Sequence, residues 1–316
     1  MKKALSVLIA MMLALCLCAA ASAEGATYRV GVCQLVQHVA LDAATQGFQD
    51  ALKEKLGDAV TFDVQNASGD SNTCSTIMNN FVSANVDLIM ANATPALQAG
   101  VASTGDIPIL GTSVTDYATA LDIADWTGAT GINVSGTSDL APLDQQAAML
   151  HELFPDATRV GLLYCSAEPN SKYQVEVIRG YLEQLGCTCT EFTFADSNDV
   201  ASVTQNACDS SEVIYIPTDN TAASCTEAIR NILEPAKVPA VVGEEGICKG
   251  CGVATLSISY YDLGYTTGEM AYEVLTGAAD ISTMEVRFAP NVTKEYNAEL
   301  CELLGVAIPE DYTAIQ

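Results

Sequence analysis

The chain has 316 residues, 49% hydrophobic and 6% aromatic, and its 13 Lys and Arg against 39 Asp and Glu give a formal charge of −26. That acidity excludes a nucleic-acid partner or an anionic membrane surface by repulsion. The length exceeds what one hydrophobic core usually serves, so two domains are expected.

Lys2 and Lys3 open the chain, an apolar run fills residues 4–21, and Ala21-Ser22-Ala23 supplies a small-x-small cleavage signature. The pattern predicts a signal peptide over residues 1–23, removed after Ala23. The competing reading, an uncleaved anchor, has too short a run. Cys16 follows Leu15 and Cys18 follows Leu17, so neither has the small residue a lipoprotein signal places before its cysteine. No later run is long enough to span a bilayer, and the mature chain, at −28 without its two leading lysines, is expected outside the cytoplasm.

The remainder contains one unit twice. Tyr28-Arg29-Val30-Gly31-Val32 returns as Thr158-Arg159-Val160-Gly161-Leu162, a first strand in each case. Residues 41–56 and 171–185 space their apolar positions three and four apart and stop at Gly57 and Gly186, as helices do. Second strands over 60–64 and 189–194 lead into Asp70-Ser71-Asn72 and Asp196-Ser197-Asn198, where Ser and Asn are natural helix N-caps. Buried strands at 86–90 and 213–216 then run into polar elbows, Asn92-Ala93-Thr94-Pro95 and Pro217-Thr218-Asp219-Asn220. Ile107-Pro108-Ile109-Leu110-Gly111 matches Val238-Pro239-Ala240-Val241-Val242-Gly243.

Apolar strands alternating with helices specify parallel sheets covered on both faces. The expectation is an α/β protein of two similar doubly wound lobes, rather than one large sheet. In such sheets ligands bind beyond the carboxyl ends of the strands, so the matching elbows are predicted to face one another across a cleft.

Ten cysteines fall after residue 23, so disulfides and free thiols both stand open in an exported chain. Cys248-Lys249-Gly250-Cys251 is a lone CxxC without a second ligand pair, and no metal or cofactor is expected. Cys187 and Cys189 sit at strand spacing, with at least one expected in the core. Asn-x-Ser/Thr sites at Asn66, Asn92, Asn133 and Asn291 are incidental beside a bacterial-style signal.

Several segments, in order over nearly the whole mature chain, carry a family likeness. They are residues 31–38 (GVCQLVQH), 65–70 (QNASGD), Ala93-Thr94-Pro95-Ala96, Val114-Thr115-Asp116, Ser138-Asp139-Leu140, 217–221 (PTDNT), 243–246 (GEEG) and 260–264 (YYDLG). The chain resembles the ABC-transporter substrate-binding proteins of the tryptophan and aromatic amino acid type. It departs from them at Gln37-His38-Val39, where relatives often show Glu-His-Pro, and in an expanded glycine-rich crossover over 127–136. The resemblance implies the type I periplasmic binding fold (periplasmic binding protein-like I), with lobe 1 over 24–136 and 258–287 and lobe 2 over 137–257 and 288–316. Crossings are expected near Gly136, Ser257 and Phe288, and the helix over 263–275 is expected to pack back on the first lobe. The resemblance also implies a monomer that captures an amino acid between closing lobes and presents it to the membrane permease of an importer.

A zwitterion needs donors for its carboxylate and acceptors for its ammonium. Thr94, on an elbow followed by Pro95, offers a hydroxyl at a helix N-terminus or simply caps that helix. Ser113 and Thr115 complete the cradle or serve as turn residues. Asp219, Asn220 and Glu244 are the acceptors expected from the second lobe, with capping the alternative for Asp219. Asn170 and Ser171, opposite Gln34 and His38, form a second tier. Tyr117, Tyr260 and Tyr261 are candidate aromatic walls, with packing in the hinge core the alternative for Tyr260 and Tyr261, and Trp126 reads as a surface-loop residue.

Two rival classes remain. An enzyme would need a catalytic constellation, yet HExxH, GxSxG, GxxxxGK[ST] and GxGxxG motifs are missing and only His38 and His151 could serve a histidine-based triad. A sensor reporting to a membrane receptor, or a binding protein for a nucleoside or sugar, would use the same fold.

Overall fold

The structure, a computed structural model, describes residues 27–289 and 291–315; the signal-peptide reading of residues 1–23 lies outside them. β1 (Tyr28–Gln34) sends Val30 and Val32 into one core and Cys33 into another, because successive strand side chains face opposite ways. There follow α1 (Val39–Leu56), β2 (Val60–Asn66), α2 (Ser71–Ala84), β3 (Leu88–Asn92), α3 (Thr94–Ser103), β4 (Ile109–Val114), the single turn α4 (Tyr117–Ala120) and β5 (Val134–Ser138). The α2 cap is Asp70, not Ser71 or Asn72: its carboxylate already accepts from Asn72 N at 2.6 Å and Thr73 N at 3.0 Å.

The same series repeats as α5 (Leu143–Leu153), β6 (Arg159–Cys165), α6 (Pro169–Gln184), β7 (Thr188–Phe194), α7 (Val200–Ser210), β8 (Val213–Ile216), α8 (Asn220–Ser224), α9 (Thr226–Ala236), β9 (Ala240–Val242), α10 (Glu245–Gly250) and β10 (Ala254–Ser257). In the second lobe Asp196 holds its loop through Asn198 N, and α7 begins without a side-chain cap.

After β10 the chain returns to the first lobe as α11 (Tyr260–Leu275), which packs along α1. It stays there through β11 (Arg287–Phe288), paired parallel with β5, then passes to the second lobe as β12 (Thr293–Tyr296), α12 (Ala298–Leu304) and β13 (Thr313–Ala314). The strand orders are β2-β1-β3-β4-β5-β11 and β7-β6-β8-β9-β10-β12-β13, so the two α/β lobes share one topology over their first five strands. β12 breaks the parallel rule, lying antiparallel to β10, and β13 beside it follows the direction of β12. No helix separates it from β11, so it enters the second sheet at the end where the other strands leave.

The α1–α11 contact is backbone against backbone. A Cβ on Gly264 would stand 1.9 Å from the Ala44 carbonyl oxygen, and one on Gly47 2.1 Å from that of Tyr261. All ten cysteines of the described residues are free thiols, with Cys33 and Cys74 in one core of the first lobe and the others in the second lobe. The disulfides left open by the composition are therefore not formed. Cys248 and Cys251 pack in the second lobe, and Cys187 is buried beside the half-buried Cys189.

Candidate functional site

The parallel strands of both sheets end toward the space between the lobes, and the loops that follow them meet there. In the first lobe, Thr94 is the first residue of α3 and does not cap it: Ala93 is the N-cap and no side chain caps the helix. The Thr94 hydroxyl is buried without a partner, as is that of Ser113. Ala93 and Ser113 hold φ of 93° and 55°, left-handed values a non-glycine residue adopts only when its surroundings dictate them. Thr115, two residues on, is buried as well.

Asp139 follows β5 on the first crossing and is 4% exposed. Its Oδ2 accepts from the Tyr260 hydroxyl at 2.9 Å, while its Oδ1 is buried with no partner. Burial raises its pKa, and the Tyr260 and Thr115 hydroxyls restrain the rise. Tyr260→Phe is therefore expected to cost about 2 kcal/mol in urea unfolding while Asp139 is ionised, and less as the pH is lowered and Asp139 takes up a proton of its own. A loss independent of pH would contradict this coupling.

In the second lobe, Asp219 caps α8 through Ala222 N at 2.8 Å and also accepts Cys165 N at 2.7 Å. The buried Ser171 hydroxyl accepts from Asn170 Nδ2 at 3.3 Å. Glu244 caps α10 through Gly246 N at 2.7 Å and Ile247 N. Burial pushes Asp219 up to about 8, helped by neighbouring Glu168, and burial pushes Glu244 up to about 7. Asn170 is buried with its Oδ1 unpartnered. Asn220 reaches across the cleft: its Oδ1 lies 3.3 Å from His38 Nε2. Because Asn220 Nδ2 donates to Glu168, Oδ1 is the acceptor, so His38 donates from Nε2 and leaves Nδ1 buried without a partner. Burial lowers the His38 pKa.

Not every sequence candidate faces the cleft. Gln34 is an internal brace of the first lobe, its amide donating to Val36 O and Asp42 and accepting from Thr45. Tyr117 is no wall: its ring fills the space under two sheet glycines and its hydroxyl donates to Thr137 O. Tyr261 points outward, 40% exposed, and donates to Asp50 on α1. Trp126 is 37% exposed in its loop. Asp139, present in the sequence only as part of the Ser138-Asp139-Leu140 segment, and Glu168 are not among the site candidates there, although an acid immediately after a crossover strand and one immediately before Pro169 are signals of such a role.

Two cavities flank these groups. One of about 170 Å³ lies between Leu35, Val36 and Pro95 of the first lobe and Glu168, Asn220 and Thr221 of the second. Another of about 210 Å³ lies nearer the crossings, between Val39 and Ala40 of α1, Tyr260, Glu244 and Glu295. Among the described residues, no salt bridge includes Asp139, Glu168, Asp219 or Glu244. Four buried carboxyl groups thus converge on one cleft with no protein cation, and buried carboxylates demand a counter-charge or a proton.

A sequence model of the family "ABC transporter substrate binding protein" matches residues 29–315. The chain belongs to that family. It is a substrate-binding protein of the ABC transporter type, built for a small-molecule ligand. The chain is 37% identical over 251 residues to a tyrosine-binding protein of Clostridioides difficile, covering 78% of this chain and 72% of that one. Among solved structures, the ABC domain in complex with L-Trp from Streptococcus pneumonia superposes with a TM-score of 0.88 at 31% identity, over 92% of this chain and 100% of that one. A ligand-free, open substrate-binding protein with adhesive properties from Clostridium difficile gives 0.69 at 34% identity, over 92% and 99%. In this substrate-binding protein the two lobes touch through His38 and Asn220.

Proposed function

We propose that this protein is the extracytoplasmic binding component of an ABC importer, that it takes an aromatic amino acid between its lobes, and that it catalyses no reaction. The observation that carries this reading is the set of buried polar atoms without partners at the strand ends of both lobes, beside four carboxyl groups without a cation. Thr94, Ser113 and the α3 N-terminus would receive the ligand carboxylate. Asp139, Asn170 and the Asp219–Glu244 side would receive its ammonium, with His38, Asn220, Ser171 and Thr115 framing the two ends. The tyrosine-binding relative and the L-Trp complex support an aromatic side chain. Leu35, Val36 and Pro95 offer the apolar surface it would lie on.

The two lobes would turn about the three crossings, each bringing half of the shell, so that the ligand favours the closed form. The exported chain would act as a monomer, and the closed form would dock on the permease. Thermal shift of residues 24–316 against amino acids, nucleosides and sugars tests the reading. L-tryptophan or L-tyrosine is expected to raise Tm, because a ligand bound only by the native state stabilises it. Thr94→Val is expected to weaken that binding about tenfold. Stabilisation by sugars or nucleosides alone would refute the ligand class.

A further inference from the structure

The two lobes treat the helix that follows their third strand, α3 in the first and α8 in the second, in opposite ways. In the second lobe a carboxylate covers each pair: Asp219 takes Cys165 N and Ala222 N, Glu244 takes Gly246 N and Ile247 N, and Glu168 takes Asn220 N at 3.0 Å and Thr221 N at 2.8 Å. In the first lobe the matching helix, α3, starts without any side-chain cap, and the buried hydroxyl of Thr94 stands beside it unpartnered. At these matching elbows the α3 N-terminus keeps its donors, whereas those of α8 are consumed.

Glu168 does more than cover backbone. Its Oε2 also accepts Asn220 Nδ2 at 2.7 Å and Asn170 Nδ2 at 3.2 Å, and its Oε1 accepts the Thr221 hydroxyl at 2.8 Å. A carboxamide has one donor end and one acceptor end, so anchoring both NH2 groups on one carboxylate turns both Oδ1 atoms away from it. Asn220 Oδ1 then meets His38, and Asn170 Oδ1 is left buried with no partner. Asn170 is further held by Thr218 O at 3.2 Å, another acceptor.

We propose that Glu168 is a positioning residue that makes the second lobe an acceptor face, so that the protein selects ligands carrying an ammonium group and rejects the same molecules without it. This rests on the amino acid reading of the cleft. Glu168 need not touch the ligand: it acts through Asn170 and Asn220. Sites built to satisfy a polar ligand group discriminate strongly against analogues that lack it, because their own buried groups are then left unpaired.

The test compares dissociation constants for L-tryptophan and indole-3-propionate, identical but for the amine. The wild-type protein is expected to prefer tryptophan by about 100-fold or more. In Glu168→Gln one end of the new amide donates, the carboxamides lose their common anchor, and the preference is expected to shrink to about tenfold or less through loss of tryptophan binding. Should Glu168→Gln fail to fold, Asn170→Ala removes the orphaned acceptor directly and is expected to shrink the preference in the same way. A merely structural role would weaken both ligands equally, and a preserved ratio would overturn the proposal. Failure of the wild-type protein to bind any amino acid would instead refute the reading of the cleft itself, and this inference with it.

Discussion

Gly264→Ala should be strongly destabilising for a change of a single methyl group. Its Cβ would stand 1.9 Å from the Ala44 carbonyl oxygen and 2.6 Å from the Ala44 carbonyl carbon. Those are backbone atoms of α1, so no rotamer change relieves the clash and the helices must separate. Separation opens the buried layer between α1 and the sheet, where Phe48 and Leu52 pack against Val30 and Val32. Overpacking of this kind costs about 3 kcal/mol, which for a chain of this size lowers Tm by roughly 6–12 °C. Urea unfolding of the ligand-free variant checks it, and a loss below 1 kcal/mol would show that the helices are not in the close contact described (about 1 kcal/mol being the ordinary single-substitution effect).

The second large effect is on pH. Burial raises the pKa values of Asp139, Asp219 and Glu244, the last two to about 8 and about 7, and burial with nearby Glu245 raises Glu295 to about 7. Unfolded carboxyls titrate near pH 4, so between there and pH 8 the folded chain holds protons that the unfolded chain has released. The stability these protons confer is complete below about pH 4 and is lost as pH rises through 7 and 8. His38, its pKa lowered by burial, works in the opposite sense near its ordinary range, as one group against four. The ligand-free protein is accordingly expected to melt at a lower temperature at pH 8 than at pH 6.

An ammonium placed among these carboxyls does the work of the protons and displaces them. Affinity for an amino acid should therefore rise from pH 6 to pH 8, by up to about tenfold per pH unit for each proton released. Calorimetry in buffers of different ionisation enthalpy would count the protons directly. Affinity that is flat with pH, or tighter at pH 6, would mean that the buried carboxyls do not meet the ligand.

Much of the fold is legible in the primary structure because the duplicated unit repeats both its periods and its turn residues. The 28–32 and 158–162 runs are the first strands of sheets with a common order, and the Thr94 and Asp219 elbows occupy equivalent places. The antiparallel β12 was not legible, since its direction follows from the absence of a helix before it rather than from its own composition. Within the site, spacing located backbones and not the destinations of side-chain atoms. Gln34 looked available from its place after β1, yet three neighbours consume its amide. Tyr117 looked like a wall because nothing in its own segment announces the space left by glycines on two other strands. Glu168 was overlooked because its importance lies in partners about fifty residues away, the N–H groups of Asn220 and Thr221.

One titration decides whether the cleft takes an amino acid: calorimetry of residues 24–316 at pH 8 with L-tryptophan and L-tyrosine, beside glucose and myo-inositol. Saturable binding of one amino acid per chain, with no heat from the sugars, is the predicted result. Saturable binding of a sugar, with silence from every amino acid, would contradict it and assign the buried carboxyls to hydroxyl recognition instead.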